Sequence, residues 1–280
     1  MACDYTNFVS CFPEVFLDFI LDFIKDLLNP AAQPMLDLIK LLLSEPVNIA
    51  LFSGLWSVII YIISLFFGLF FMGSGFYFLI SGYDPVKRER AKLWLKNLVF
   101  MLIFIQASFF IYEIAIELSA RMSSGIIEII DPGFYSLTTD SVVNFGLQLF
   151  LLVPYLIVLL NTTLLLGLRY LVVSVGVVFL PIALFFYFFP PLNGYGRMLL
   201  NGLGVAVFIP FFDALILLVG SMLMDISIFS HIKVLVAMIT FLTMDAFMIC
   251  VLVFALVKSA SMIMNSDVGK LAKQTVRYFA

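Results

Sequence analysis

Charge is scarce in this chain. Only 12% of its 280 residues are Asp, Glu, Lys or Arg, against about 25% in a soluble globular domain. Histidine occurs once, tryptophan twice and cysteine three times. Low charge with high hydrophobicity excludes disorder, three cysteines exclude a disulfide scaffold, and 16 glycines exclude a collagen repeat. The chain also lacks a glycine-rich phosphate loop ending in Lys-Ser/Thr, a metal-binding His pair and a Gly-x-Ser-x-Gly elbow. No catalytic residue, metal site or cofactor is expected, and the chain does not read as an enzyme.

What fills the space is hydrocarbon. Residues of the AVILMFWYC set make up 64% of the chain, 32 of them Phe, and the mean hydropathy is +1.17. No soluble fold of this size has an interior large enough to hide so much apolar surface. The useful unit is therefore the span of about 20 apolar residues. The expected fold is an all-α, polytopic membrane helix bundle of about six hydrophobic segments. The N-terminus lacks a basic region before an apolar run, so the first span is expected to act as its own insertion signal.

Charges are few but unevenly placed. Residues 1–48 hold Asp4, Glu14, Asp18, Asp22, Asp26, Asp37 and Glu45 against Lys25 and Lys40, a net of −5. Glu14, Asp18, Asp22 and Asp26 recur at i, i+4 and share one face of an amphipathic helix. A shorter helix follows around 35–43. Residues 84–96 carry Lys87, Arg88, Arg90, Lys92 and Lys96 against Asp84 and Glu89, a net of +3, and the stretch from 258 onward is also +3. Three regions result: external acidic helices over 1–47, a transmembrane bundle over 48–257 and a basic tail over 258–280, whose last residues, 266–280, read as a short amphipathic helix.

Within the bundle, 34 residues from Asn48 to Ser81 carry no charge. They suit one long tilted helix, with Gly68, Gly73 and Gly75 providing a thin edge for close packing. Further segments read as 93–119, 142–168, 170–189, 198–223 and 234–257, with Arg169 separating the third span from the fourth. Cations near span ends favour the cytoplasm, so the 82–92 turn is expected inside and the N-terminus outside. Six full spans would then put the basic tail outside, against the same rule. A re-entrant segment near Pro210 would restore a cytoplasmic C-terminus.

Ionisable residues inside apolar runs are the main functional signal, because each costs several kcal/mol unless paired, protonated or wetted. Glu113 and Glu117 share a face of the second span, Arg169 lies between the third and fourth, and Asp213 and Asp245 fall near the middles of the last two. They read either as a polar pathway or as structural partners hydrogen-bonded across helices. The basic turn (Lys87, Arg88, Arg90 and Lys92) reads either as a lipid-headgroup anchor or as a contact for a cytoplasmic partner or nucleic acid. Cys250, in an apolar run, reads as a small buried hydrophobe. Cys3 and Cys11 have a chance to pair only on an oxidising exterior. His231 reads as a solvated loop residue, and Asn161-Thr162-Thr163 as a glycosylation sequon too deep in a span to be used.

Two stretches resemble a known family. Residues 76–97, with the Gly82-Tyr83-Asp84-Pro85 turn and its cations, look like the turn of conjugative secretion membrane proteins. Leu168-Arg169-Tyr170, Pro181, Pro190, Gly196-Arg197 and Ile209-Pro210 are similar to the later half of their channel subunits. Together they cover about 76–213. The resemblance is to the polytopic inner-membrane subunit of type IV secretion systems, most like the membrane component of the archaeal DNA-exchange (Ced) import system. It implies a cell-membrane protein with its N-terminus outside, working with other subunits of a secretion or pilus complex, a separate ATPase, copies of itself as a homo-oligomer, and DNA as passenger. The rival reading is a small secondary transporter or ion channel using Asp213 and Asp245 as coupling sites.

Overall fold

A computed structural model describes residues 32–135, 145–189, 192–229 and 232–264. The acidic stripe over 14–28, Cys3, Cys11, His231 and most of the basic tail lie outside these residues. Among the described residues the fold is all helix. Helix α1 covers 32–44. It is followed by α2 (Ser53–Ile80), α3 (Pro85–Gln106), α4 (Ser108–Ile127), the short α5 (Pro132–Tyr135), α6 (Phe145–Phe188), α7 (Asn193–Met224) and α8 (Lys233–Met264). The helices around α2, α6, α7 and α8 are long and apolar enough to cross a bilayer, and α3 with α4 forms a further candidate bent by 57°.

Helix α6 is the spine. Tyr155, Leu159 and Leu166 pack with α1, α7 and α8; Val173, Val177 and Leu180 pack with Tyr112, Ile116 and Leu203; Ile182, Phe185 and Phe188 pack with α2 and α3. At 44 residues it runs about 66 Å at 1.5 Å per residue, twice the hydrocarbon thickness. The apolar residues on either side of Arg169 are continuous within it from Phe145 to Phe188, so Arg169 occupies mid-helix rather than a loop. A lone cation in an apolar run reads as a boundary because hydrocarbon cannot solvate it; here the neighbouring helix solvates it instead.

Pro210 also sits inside a continuous helix, α7, so the region marked as re-entrant runs straight through. The break falls instead at Ala107, inside the expected second span. No proline or glycine stands there. The two halves pack on different partners, α3 on α2 and the end of α6, α4 on α7 and the middle of α6. Trp56 of α2 pins the joint, its Nε1–H donating to the Ser108 hydroxyl at 3.0 Å and its ring meeting Phe109 edge-on.

Both halves nonetheless travel the same way. Trp94 and Leu98 lie beside Phe188 and Phe189, Tyr112 beside Val173, and Ile127 and Ile130 join the cluster of Tyr155 and Leu159. The pair thus runs antiparallel to α6 along its whole described length. Helix α8 runs parallel to α6, since Phe241 meets Tyr155 and Asp245 meets Asn161. Close crossings need small residues. A Cβ on Gly220 would collide with the Thr240 side chain between α7 and α8, and one on Gly176 with the Tyr112 hydroxyl between α6 and α4.

Candidate functional site

The buried charged residues lie between α4, α6, α7 and α8, and the node they form begins with Pro210. Proline has no N–H, so the carbonyl four residues earlier, Ala206, loses its helical donor. Arg169 of α6 supplies the replacement: its Nε–H donates to Ala206 O at 2.9 Å and its Nη2–H to Val207 O at 3.2 Å. Ser119 of α4 donates to the same Val207 carbonyl at 2.6 Å. A proline inside a helix costs about 3 kcal/mol, and a hydrogen bond from a charged donor is worth roughly 1.5–3 kcal/mol. Arg169 therefore offsets much of the penalty of Pro210 while placing its own charge, only 7% exposed, against backbone oxygens.

The acids lie towards the other end of the same helices. Asp213 follows Pro210 by one turn and is fully enclosed, with no hydrogen-bond donor on either carboxyl oxygen. Asp245 of α8 accepts from Asn161 Nδ2 of α6 at 2.7 Å through Oδ2, while its Oδ1 has no partner. Asp213 is within electrostatic reach of both Arg169 and Asp245. Tyr112 of α4 completes the surroundings, donating from its hydroxyl to Val173 O at 2.8 Å.

The structure thus brings together Arg169, Asp213 and Asp245 from segments far apart in the chain. It leaves the other two acids outside. Glu113 is half-buried and Glu117 exposed on α4, because Tyr112, Ile116 and Ser119 take the inward face of that helix. Cys250 is exposed on the outer face of α8 rather than buried. An apolar run alone does not tell the bundle side from the lipid side, since both are greasy.

Asn161 and Ser119 are the members of the node that sequence reading passed over. Asn161 was matched to a sequon pattern, yet Thr162 beside it stands seven residues before Arg169. That spacing puts the two on one helical face and offered a signal. Nothing in the sequence ties Ser119 to Val207 across 88 residues.

The basic turn is built separately. Asp84 caps α3 by accepting from Val86 N–H at 3.0 Å, and Pro85 takes the first helical position, where its missing donor is harmless. Gly-x-Asp-Pro is thus a helix-start device. Lys87, Arg88, Arg90 and Lys92 stand exposed around the first turns of α3. Lys87 is 3.7 Å from Asp84 and Lys92 is 4.0 Å from Glu89, exposed pairs that leave most of the positive field intact.

A bundle of long apolar helices with its ionisable groups buried at a helix junction defines a multi-pass integral membrane protein. The family model described as TrbL/VirB6 plasmid conjugal transfer like protein matches residues 14–279. The chain belongs to that family and is a membrane component of conjugative transfer machinery. No curated protein and no solved structure matches it.

Proposed function

We propose that this chain forms or scaffolds the membrane passage for DNA in a conjugation-like transfer apparatus, of the kind found in the archaeal Ced import system. The observation that carries the reading is the family match over 14–279. A separate ATPase supplies the energy, and the chain works beside pilus or secretion subunits and further copies of itself. Helix α2 supports such neighbours: its span is only 11% buried, and among the described residues no other element comes within 4 Å of where side chains would stand at Gly68, Gly73 or Gly75.

The proposed orientation puts the N-terminus outside and the C-terminus inside. With α3 and α4 as one broken span and α6 as one continuous span, the described residues cross five times. The α2–α3 turn with its four cations then shares an end with Arg197, and α8 carries Lys258 towards it. The opposite end carries Glu128, Asp131 and Asp225, with Arg121 and Lys233. Cations gather at one end, which the positive-inside rule places in the cytoplasm, and the conflict created by six spans disappears.

Deletion of the chain should abolish DNA transfer, with restoration by the wild-type copy; transfer at the parental level in the deletion strain would overturn the reading. Formaldehyde crosslinking during transfer separates the two forms of the proposal. Recovery of DNA with the immunoprecipitated chain supports a conduit, and recovery of protein subunits alone supports a scaffold.

A further inference from the structure

Arg169, Asp213 and Asp245 are all nearly or fully buried, at 7%, 0% and 3% exposure. Their formal charges leave one negative charge in excess. The guanidinium is already counted in that balance, and it donates its Nε–H and an Nη2–H to the Ala206 and Val207 carbonyls. The Asn161 amide donates to Asp245 but is neutral. Asp213 receives no donor on either oxygen, and Asp245 none on Oδ1. An enclosed, unsolvated carboxylate carries a large penalty unless something positive joins it.

The groups facing this place from every packed helix are few. Helix α6 offers Arg169 with the neutral Asn161 and Thr162, α8 offers Asp245, and α4 offers Tyr112, whose hydroxyl is engaged with Val173 O; α1 packs in the same cluster, but its Asp37 and Lys40 are exposed. Glu113 and Glu117 point elsewhere. One net negative charge calls for a monovalent rather than a divalent ion. One positive charge is what the set lacks.

We propose that Arg169, Asp213 and Asp245 form a site for one exchangeable monovalent cation, a proton or an alkali ion, held by the unpartnered oxygens of Asp213 and Asp245. The site closes the charge balance between α6, α7 and α8 and ties their packing to cation occupancy. It stands independently of whether DNA passes through the protein.

The test uses the full chain in lipid nanodiscs, with thermal unfolding followed while the cation is withdrawn. Withdrawal is done by raising pH from mildly acidic to mildly alkaline, and separately by replacing sodium with choline at constant ionic strength and pH. The wild-type midpoint should fall in one of the two series. In Asp213→Asn and Asp245→Asn, each of which removes the excess charge, that fall should be lost; either variant suffices if the other fails to accumulate. A response to pH, together with a protonated-carboxyl infrared band that vanishes in Asp213→Asn, identifies a proton. A response to sodium at fixed pH identifies an alkali ion. A wild-type midpoint unmoved in both series overturns the proposal, as does full retention of the response in both variants.

Discussion

Arg169 donates to the carbonyl of Ala206, the acceptor that Pro210, four residues further along α7, deprives of its helical partner. A cation and a proline, each costly alone in a bilayer helix, thus satisfy one another across two helices. The pairing also holds α6 against α7 at a fixed register, because the free carbonyl exists at only that level of α7.

The first prediction is a coupling between these positions. Arg169→Met should destabilise the detergent-solubilised protein by about 3–5 kcal/mol, since it orphans the carbonyl and leaves the buried acids without their cation. Pro210→Ala restores an N–H for Ala206, so it should lessen the cost of Arg169→Met. A double-mutant cycle by chemical denaturation should give a coupling of roughly 0.5–3 kcal/mol; strict additivity would show that the two residues act separately.

Gly176 makes a second, independent prediction. A methyl group there meets the Tyr112 hydroxyl and Leu203, so Gly176→Ala should cost about 1–3 kcal/mol through overpacking. Tyr112→Phe removes the colliding oxygen, so it should recover part of that loss in the double variant. Thermal unfolding of the four proteins decides it, and equal stability of Gly176→Ala and wild type would contradict the tight α4–α6 crossing.

Sidedness is checked with single cysteines on a background lacking Cys3, Cys11 and Cys250. Cysteines at positions 88 and 197 should be shielded from an impermeant thiol reagent in intact cells, and those at 128 and 225 labelled. Labelling of 88 and 128 from the same side would mean that α3 and α4 turn back rather than cross.

The cations of the α2–α3 turn are predicted to matter beyond orientation. Lys87→Gln/Arg88→Gln and Arg90→Gln/Lys92→Gln should each insert normally, because the remaining cations preserve the positive-inside bias, yet transfer DNA less efficiently. Wild-type transfer by both pairs would reduce the turn to a membrane anchor.

Much was legible from the residues alone because the bilayer makes composition decisive. Hydrocarbon solvates no backbone group, so runs of apolar residues must become helices. The cationic turn and the amphipathic pattern behind α1 follow from local chemistry in the same way, whereas the turn at 82–85 proved also to open a helix, eight residues before the span expected at 93. The expense of intramembrane charge marked Arg169, Asp213 and Asp245 as residues to watch, along with Glu113 and Glu117, which lie outside the node.

Their meeting was decided by tertiary structure. Asp213 and Asp245 stand 32 positions apart in the chain, and only the packing of α7 and α8 against α6 places them together. The same packing turned Arg169 from an apparent loop residue into a mid-helix donor, made Pro210 tolerable without a break and moved the real break to Ala107. Lipid and bundle interior present equally apolar surroundings, so hydrophobicity determined that these segments are helices in a membrane. Hydrogen bonds between helices, which depend on register, determined which polar groups face each other.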